Sequence, residues 1–211
     1  LYIPAKFKQD NIEELVALMQ QYPFATLVTT TDEGIEATHF PTLLEQRGDD
    51  LVIKAHIAKA NKLWQKVATG AEVLVIFNGP NSYISPNHYP TKKAHGKAVP
   101  TWNYVVVHAK GHIAYSHDPQ WIYQLVDELS QAHESHSAMP WSISDAPAEY
   151  IDKMLPAIVG IKITISSIIG QWKLSQNQPE ANQQGVISGL KTLDDQGASA
   201  VAAMVKKHCD K

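Results

Sequence analysis

Cysteine is nearly absent from this 211-residue sequence: Cys209, close to the end, is alone. One thiol supports neither a disulfide framework nor a cysteine-based zinc site within a chain, and its rarity fits a reducing cytoplasm. Long apolar runs are also missing. No stretch approaches the roughly 18 to 20 residues of a membrane span, and the opening "LYIPAKFKQD" has no apolar signal core, so the sequence reads as soluble, cytoplasmic and without a membrane partner. There is no excess of positive charge either. Lys and Arg total 18 against 21 Asp and Glu, a net charge of −3, which excludes the global basic field that binds nucleic acid regardless of sequence. Repeats and low-complexity linkers are absent too. What is present is 44% hydrophobic residues, enough for a full core.

The periodicities predict a mainly β protein with peripheral helices. "QDNIEELVALMQQYP" reads as a helix, with Asp10 and Glu13 in capping-box spacing, an apolar stripe of Ile12, Leu15, Val16, Leu18 and Met19, and Pro23 as its stop. Strand-like runs follow at 24–30, 34–45, 50–57, 72–79, 82–85 and 101–116, and a last one, "GIKITISSIIGQWKLS", at 160–175. The connections "TDEG" and "QRGDD" are short enough for antiparallel hairpins. Helices are expected at "NKLWQKVATG" with Asn61 as cap, at "DPQWIYQLVDELSQAHE", from Asp145-Ala146-Pro147 to about Leu155, and in the last part of the chain. Six or seven antiparallel strands with helices between them suggest a small barrel, whose ligand would sit at a mouth, on the outside or at a subunit interface.

Two stretches carry the chemistry. "KAHIAKANKLW" (54–64) leads a strand into a helix start and sets His56, Lys59, Asn61 and Lys62 around the turn. Such a junction can cradle a phosphate with backbone N–H groups and a lysine, or it can simply be a capped helix with solvated lysines. "AVPTWNYVVVHAKG" (98–111) opens a strand with Trp102, Asn103 and Tyr104. Two rings and an amide can line a ligand, or the rings can form a buried layer. The segment "SYISPNHYPTKK" is cut short as a strand by Pro86 and Pro90, which leaves His88, Tyr89, Lys92 and Lys93 on a loop. Ten histidines raise the question of a metal. His108 and His112 would lie roughly 13 Å apart on one strand, and His133 with His136 lacks a third ligand, so no metal site is assigned.

Taken in order, "YIPAKF", "HIAKANKLW", "FNGPNSYISPNHYPTK", "VPTWNYVVVHAKG", "HESHSAMPWSISDAP", "AIVGIKITI" and "QWKLSQNQP" resemble the PaiB-type proteins, described as FMN-binding negative transcriptional regulators. The resemblance runs from residue 2 to about 190. It implies the FMN-binding split barrel, a six-stranded antiparallel Greek-key barrel that forms a homodimer with a flavin at each end of the interface. Residues 1–190 would form that domain, with 191–211 a helical tail packed on it. By the same resemblance the phosphate falls to His39, Pro41 and Thr42 and to His56, Ile57, Lys59 and Asn61. Trp102, Asn103 and Tyr104 would serve the ring, Tyr83 and Ser85 would also contact the cofactor, and Trp172, Lys173 and Gln176 would reach the partner chain's flavin. Related oxidases carry arginine and lysine at the phosphate positions, so two histidines and one lysine imply weaker affinity here.

No helix-turn-helix or basic helix is visible, and direct DNA binding would rest on a patch of Lys92, Lys93 and Lys97. The regulator role therefore comes from the resemblance alone. The alternatives it leaves open are an FMN-dependent oxidoreductase or a haem-handling split-barrel protein.

Overall fold

The computed structural model describes residues 2–209. Alternation of buried and outward side chains shapes some of the strands, whereas the strand over 50–58 buries residues 52–55 in a row. β2 (Phe24–Thr31) buries Ala25, Leu27 and Thr29 and turns Phe24 and Thr30 outward, and β7 (Thr101–Ser116) buries each odd-numbered residue from Asn103 to Ile113. The other strands are β1 (Lys8–Gln9), β3 (Gly34–Pro41), β4 (Leu43–Arg47), β5 (Asp50–Ala58), β6 (Glu72–Ile84) and β8 (Ile158–Lys173). They pair in the order β3-β2-β6-β7-β8-β5-β4, with β1 added to the end of β8. Gly34 and Gly48, at φ +116° and +59°, supply the left-handed residues of the two predicted hairpins.

The described residues thus form eight strands, not the six of the expected barrel. Three local changes turn the seven runs read from the sequence into these eight strands. The run 34–45 is divided at Thr42, whose amide and hydroxyl both donate to the Pro23 carbonyl, at 3.0 and 2.8 Å. The runs 72–79 and 82–85 are one strand, because β2 leaves β6 at Ile76 and Pro80 falls beyond that pairing. The two-residue β1 had no periodicity to announce it. Because β3 and β4 are the two ends of the order and only Thr42 separates them, the sheet must curl back on itself, as a barrel requires.

The helices are α1 (Ile12–Gln21), α2 (Leu63–Lys66), α3 (Lys92–His95), α4 (Pro119–Glu134), α5 (Ala148–Met154), α6 (Glu180–Lys191) and α7 (Gln196–Cys209). α1 begins one residue later than the capping-box spacing suggests. Asn11 accepts from the Glu14 amide at 3.0 Å, while Asp10 pairs with Lys8 at 2.8 Å. The expected helix after residue 61 is a single turn, ending at Lys66.

Contacts divide the chain into two compact units, and β6, β7 and β8 contribute to both. One unit is the described part of Leu1–Leu18, Asn78–Val107 and Ile169–Lys211; the other is Met19–Phe77 with His108–Ile168. The core of the first includes Leu15, Ile84, Val105, Trp172, Leu174 and Leu190. In the second, Leu27, Ile53, Phe77, Ile113, Ile161 and Ile163 are fully buried. There α4 lies against β5 and β8: buried Lys54 pairs with Glu128, and the Lys162 ammonium sits 4.4 Å from the centre of the Trp121 ring. Trp121 fits only because Gly160 has no side chain, since a methyl group would collide with the indole. Gly160→Ala should therefore destabilise the protein by about 1–3 kcal/mol through overpacking, read as a lowered midpoint in urea unfolding.

Candidate functional site

In the unit containing β2 to β5, the expected phosphate residues are already partly engaged. The His39 ring nitrogen Nδ1 lies 3.0 Å from the Thr26 hydroxyl, and the ring stacks on Phe24 with centroids 6.4 Å apart. Pro41 ends β3, and Thr42 is buried with its donors used on Pro23. Ile57 points into the core. The turn after β5 also differs from the expected cradle. The Lys59 amide donates to the Ala157 carbonyl at 2.7 Å, the Asn61 amide to Ala58 at 2.9 Å, and the Asn61 side chain accepts from the Leu63 amide at 3.1 Å. These backbone donors are not free for an anion, and the four-residue α2 contributes little dipole. What the turn offers instead is side chains. Lys59 is exposed and makes no ion pair among the described residues, and His56 is half-buried with an Nδ1 that has no hydrogen-bond partner among them. Lys66 anchors α2 through Glu33 and Glu36 at 2.6 and 2.7 Å.

In the other unit, strand alternation separates the three residues that open β7. Trp102 and Tyr104 line a groove of about 440 Å³ with Asn78, Asn81 and Val106, and exposed Tyr83 meets Trp102 edge to face at 6.3 Å. Asn103 points the other way into a smaller pocket, where its Nδ2 donates to the Ser175 hydroxyl at 2.8 Å. Lys173 lines that smaller pocket too. Trp172 is core, 2% exposed, stacked over Gly170, with an indole N–H that finds no acceptor among the described residues. Gln176 holds its own turn, accepting from the Leu174 amide at 2.7 Å and donating to the Trp172 carbonyl at 2.6 Å. Ser85 caps the short turn that follows by accepting from the Asn87 amide.

The connection after β6, expected as a loop, is held firmly in place. Tyr89 and His88 are pinned, not on a free loop: Tyr89 is 5% exposed, and the His88 ring lies on Gly189 of α6, where a methyl group would overlap it. Thr91 ties the same segment to Asn182 through its hydroxyl at 3.0 Å. The glycines four apart in α6 were the available signal, since they clear a strip on one helix face. Elsewhere, His133 and His136 line a cavity of about 460 Å³ with Met19, Leu43 and Leu44. No group of three or more His, Cys, Asp or Glu side chains among the described residues is placed to hold a metal. No helix among them is long and apolar enough to cross a membrane.

This architecture is shared with flavin proteins of the split-barrel type. A protein from Mycobacterium smegmatis described as FAD- and haem-binding superposes with a TM-score of 0.55 at 14% identity, covering 86% of this chain and 80% of its own. A flavocytochrome from Azotobacter vinelandii gives 0.54 at 12% identity, over 79% and 69%. The class is thus a mainly antiparallel split barrel with peripheral helices. Residues 1–167 match the family model described as "Putative FMN-binding domain", and the chain belongs to that family, whose defining cofactor is FMN. Over 209 residues it is 32% identical to the Bacillus subtilis protein called protease synthase and sporulation protein PAI 2, covering 98% of this chain and 97% of that one.

Burial holds the His56 imidazole below its ordinary titration range, and burial does the same to His108. The unfolded chain therefore takes up protons first as pH falls through about 6.5, and stability drops until the depressed folded values are passed. His56→Gln should flatten the fall in urea midpoint between pH 7.5 and 5. An unchanged slope would exclude His56 as a contributor.

Proposed function

We propose that this chain binds FMN as a homodimer and acts as a negative transcriptional regulator that responds to its flavin, not by reading DNA sequence directly. The observation that carries this reading is the likeness, over nearly the full length of both chains, to a relative named for protease synthesis and sporulation, joined to the FMN-binding family match. The side chains are compatible with that cofactor. The aromatic groove beside Trp102, Tyr104 and Tyr83 suits a flat ring with polar edges, and Asn78 and Asn81 supply amides for such edges. Separately, Lys59 and the unpartnered His56 Nδ1 suit a phosphate better than the occupied backbone amides beside them. Bound flavin would supply electron transfer, while these residues hold and orient it.

The homodimer is supported by exposed apolar residues on one face of the β2–β3 pair, among Thr26, Thr30 and His39. Phe24 and Ile35 are 67% and 79% exposed, and the register sets Phe24, Val28, Ile35 and Ala37 on the same side. Ile35→Lys should shift the protein toward monomer in light scattering at micromolar concentration. A wild-type monomer that still binds FMN would refute the dimer.

Cofactor titrations divide the two groups of residues. Lys59→Ala should weaken FMN binding by about 1.5–3 kcal/mol and leave riboflavin, which has no phosphate, much less affected. Trp102→Ala should weaken both flavins alike. For the regulatory role, DNase footprinting of a defined promoter at physiological salt tests direct reading. With net charge −3, the expected result is no specific footprint from the isolated protein with oxidised or reduced flavin. A specific footprint would make it a direct operator reader, and bleaching of bound FMN by NADH without one would replace regulation with oxidoreductase activity.

A further inference from the structure

The pocket beside Asn103 has the chemistry of a separate ligand site. Its volume is about 240 Å³, and Phe7, Tyr89, Val99 and Pro100 give it an apolar side while Asn103 and Lys173 give it a polar one. Asn103 is 1% exposed, its Nδ2 is used on Ser175, and its Oδ1 has no hydrogen-bond partner among the described residues. A buried acceptor left unpaired is costly, and an acceptor of this kind calls for an O–H or N–H. Beside it, the Lys173 ammonium donates to the Thr101 hydroxyl at 2.6 Å and has no carboxylate within ion-pair distance among the described residues. Burial lowers its pKa, and its neighbours are the Thr101 hydroxyl and the Tyr104 ring, whose centre is 6.0 Å from the ammonium, with no carboxylate among the described residues. Ser175 is held at φ +66°, a left-handed conformation rare for a residue with a side chain, and it is this residue that carries the hydroxyl bound to Asn103.

We propose that this pocket binds a small α-hydroxycarboxylate with a compact apolar tail. The carboxylate meets Lys173, the α-hydroxyl donates to Asn103 Oδ1, and the tail packs on Phe7 and Val99. A hydroxyl suits Asn103 better than a free α-ammonium, which Lys173 would repel. The size agrees: a cavity of about 150 Å³ holds benzene, so this one takes a benzene-sized tail and a short polar head but not a ring system of flavin size. The assignment goes beyond flavin binding and removes Asn103 and Lys173 from the flavin's expected partners.

Calorimetric titration of the full chain with mandelate, phenylacetate and benzyl alcohol tests it, with and without saturating FMN. Mandelate should bind with a dissociation constant below about 1 mM. Phenylacetate, which lacks the hydroxyl, should bind about fivefold more weakly, and benzyl alcohol, which lacks the carboxylate, at least tenfold more weakly. Lys173→Met should lower mandelate affinity at least tenfold. Asn103→Leu should abolish the preference for mandelate over phenylacetate, and Trp102→Ala should change neither. If Asn103→Leu does not fold, the three-ligand ranking on the unaltered chain and the Lys173→Met loss still decide the matter. No binding of mandelate, equal binding of all three compounds, affinity unmoved by Lys173→Met, or displacement of mandelate by FMN would each overturn the proposal. Because it needs no flavin to be bound, its failure leaves the FMN reading untouched.

Discussion

The clasp of Thr42 on the Pro23 carbonyl is the constraint on which the arrangement of strands depends. Pro23 closes α1 and precedes β2, and Thr42 sits between the two edge strands of the sheet, so one carbonyl receiving two hydrogen bonds fixes where β3 ends and β4 begins. A strand has a side-chain period of two, so moving that break by one residue would turn every side chain of β4 to the opposite face. β4 pairs with β5 from Leu43↔Lys54 to Arg47↔Asp50, and this register brings Glu45 to the ammonium of buried Lys54 at 3.8 Å. Glu128 of α4 completes the neutralisation of that lysine. A buried cation without both would be strongly destabilising.

The same period of two governs the opening of β7. Trp102 and Tyr104 reach an open groove and Asn103 a smaller pocket, although the three are consecutive. An aromatic pair on the outer face can receive a ring without disturbing the core. The amide on the inner face faces the opposite economy: it is buried, half-satisfied by Ser175 and otherwise unpaired. His56 and Trp172 also carry buried polar atoms without partners among the described residues. Glu45 Oε2 and His88 Nδ1 likewise have no hydrogen-bond partner, away from the candidate binding residues, so an unpaired atom points to a ligand only where a pocket adjoins it, as it does at Asn103. Trp172 is not such a case, since its ring is packed into the core over Gly170.

Family membership and geometry support different levels of description. The match over residues 1–167 and the likeness to a nearly full-length relative establish an FMN-binding family. The solved structures at 12% and 14% identity establish the fold and nothing finer. The turn after β5 shows why geometry is needed as well. Its sequence suggests a helix-terminal phosphate cradle, but the Lys59, Asn61 and Leu63 amides are already bonded and its helix is one turn long, so recognition of an anion there falls mainly to side chains.

The sequence by itself determined the class. Strand-like runs between turn signals mark β2, β5, β7 and most of β8, Asp118-Pro119 marks α4, and Gly34 and Gly48 mark the hairpins, because each of these signals acts within a few residues of itself. The Trp- and Asn-rich motifs carried the family for the same reason. Tertiary structure alone decided the rest. The break at Thr42 depends on a carbonyl 19 residues away, and the continuity of β6 through Pro80 depends on where β2 leaves it. Lys54 reads as an exposed strand lysine until Glu128 is placed beside it, 74 positions later. The division of Trp102, Asn103 and Tyr104 between two cavities depends on which elements cover each face of β7, and the pocket of Asn103 exists only where Phe7, Tyr89 and Lys173 converge from distant segments. Local signals decide what a segment becomes, but a cavity or a neutralised buried charge is a property of segments meeting, and that meeting is not written in any one of them.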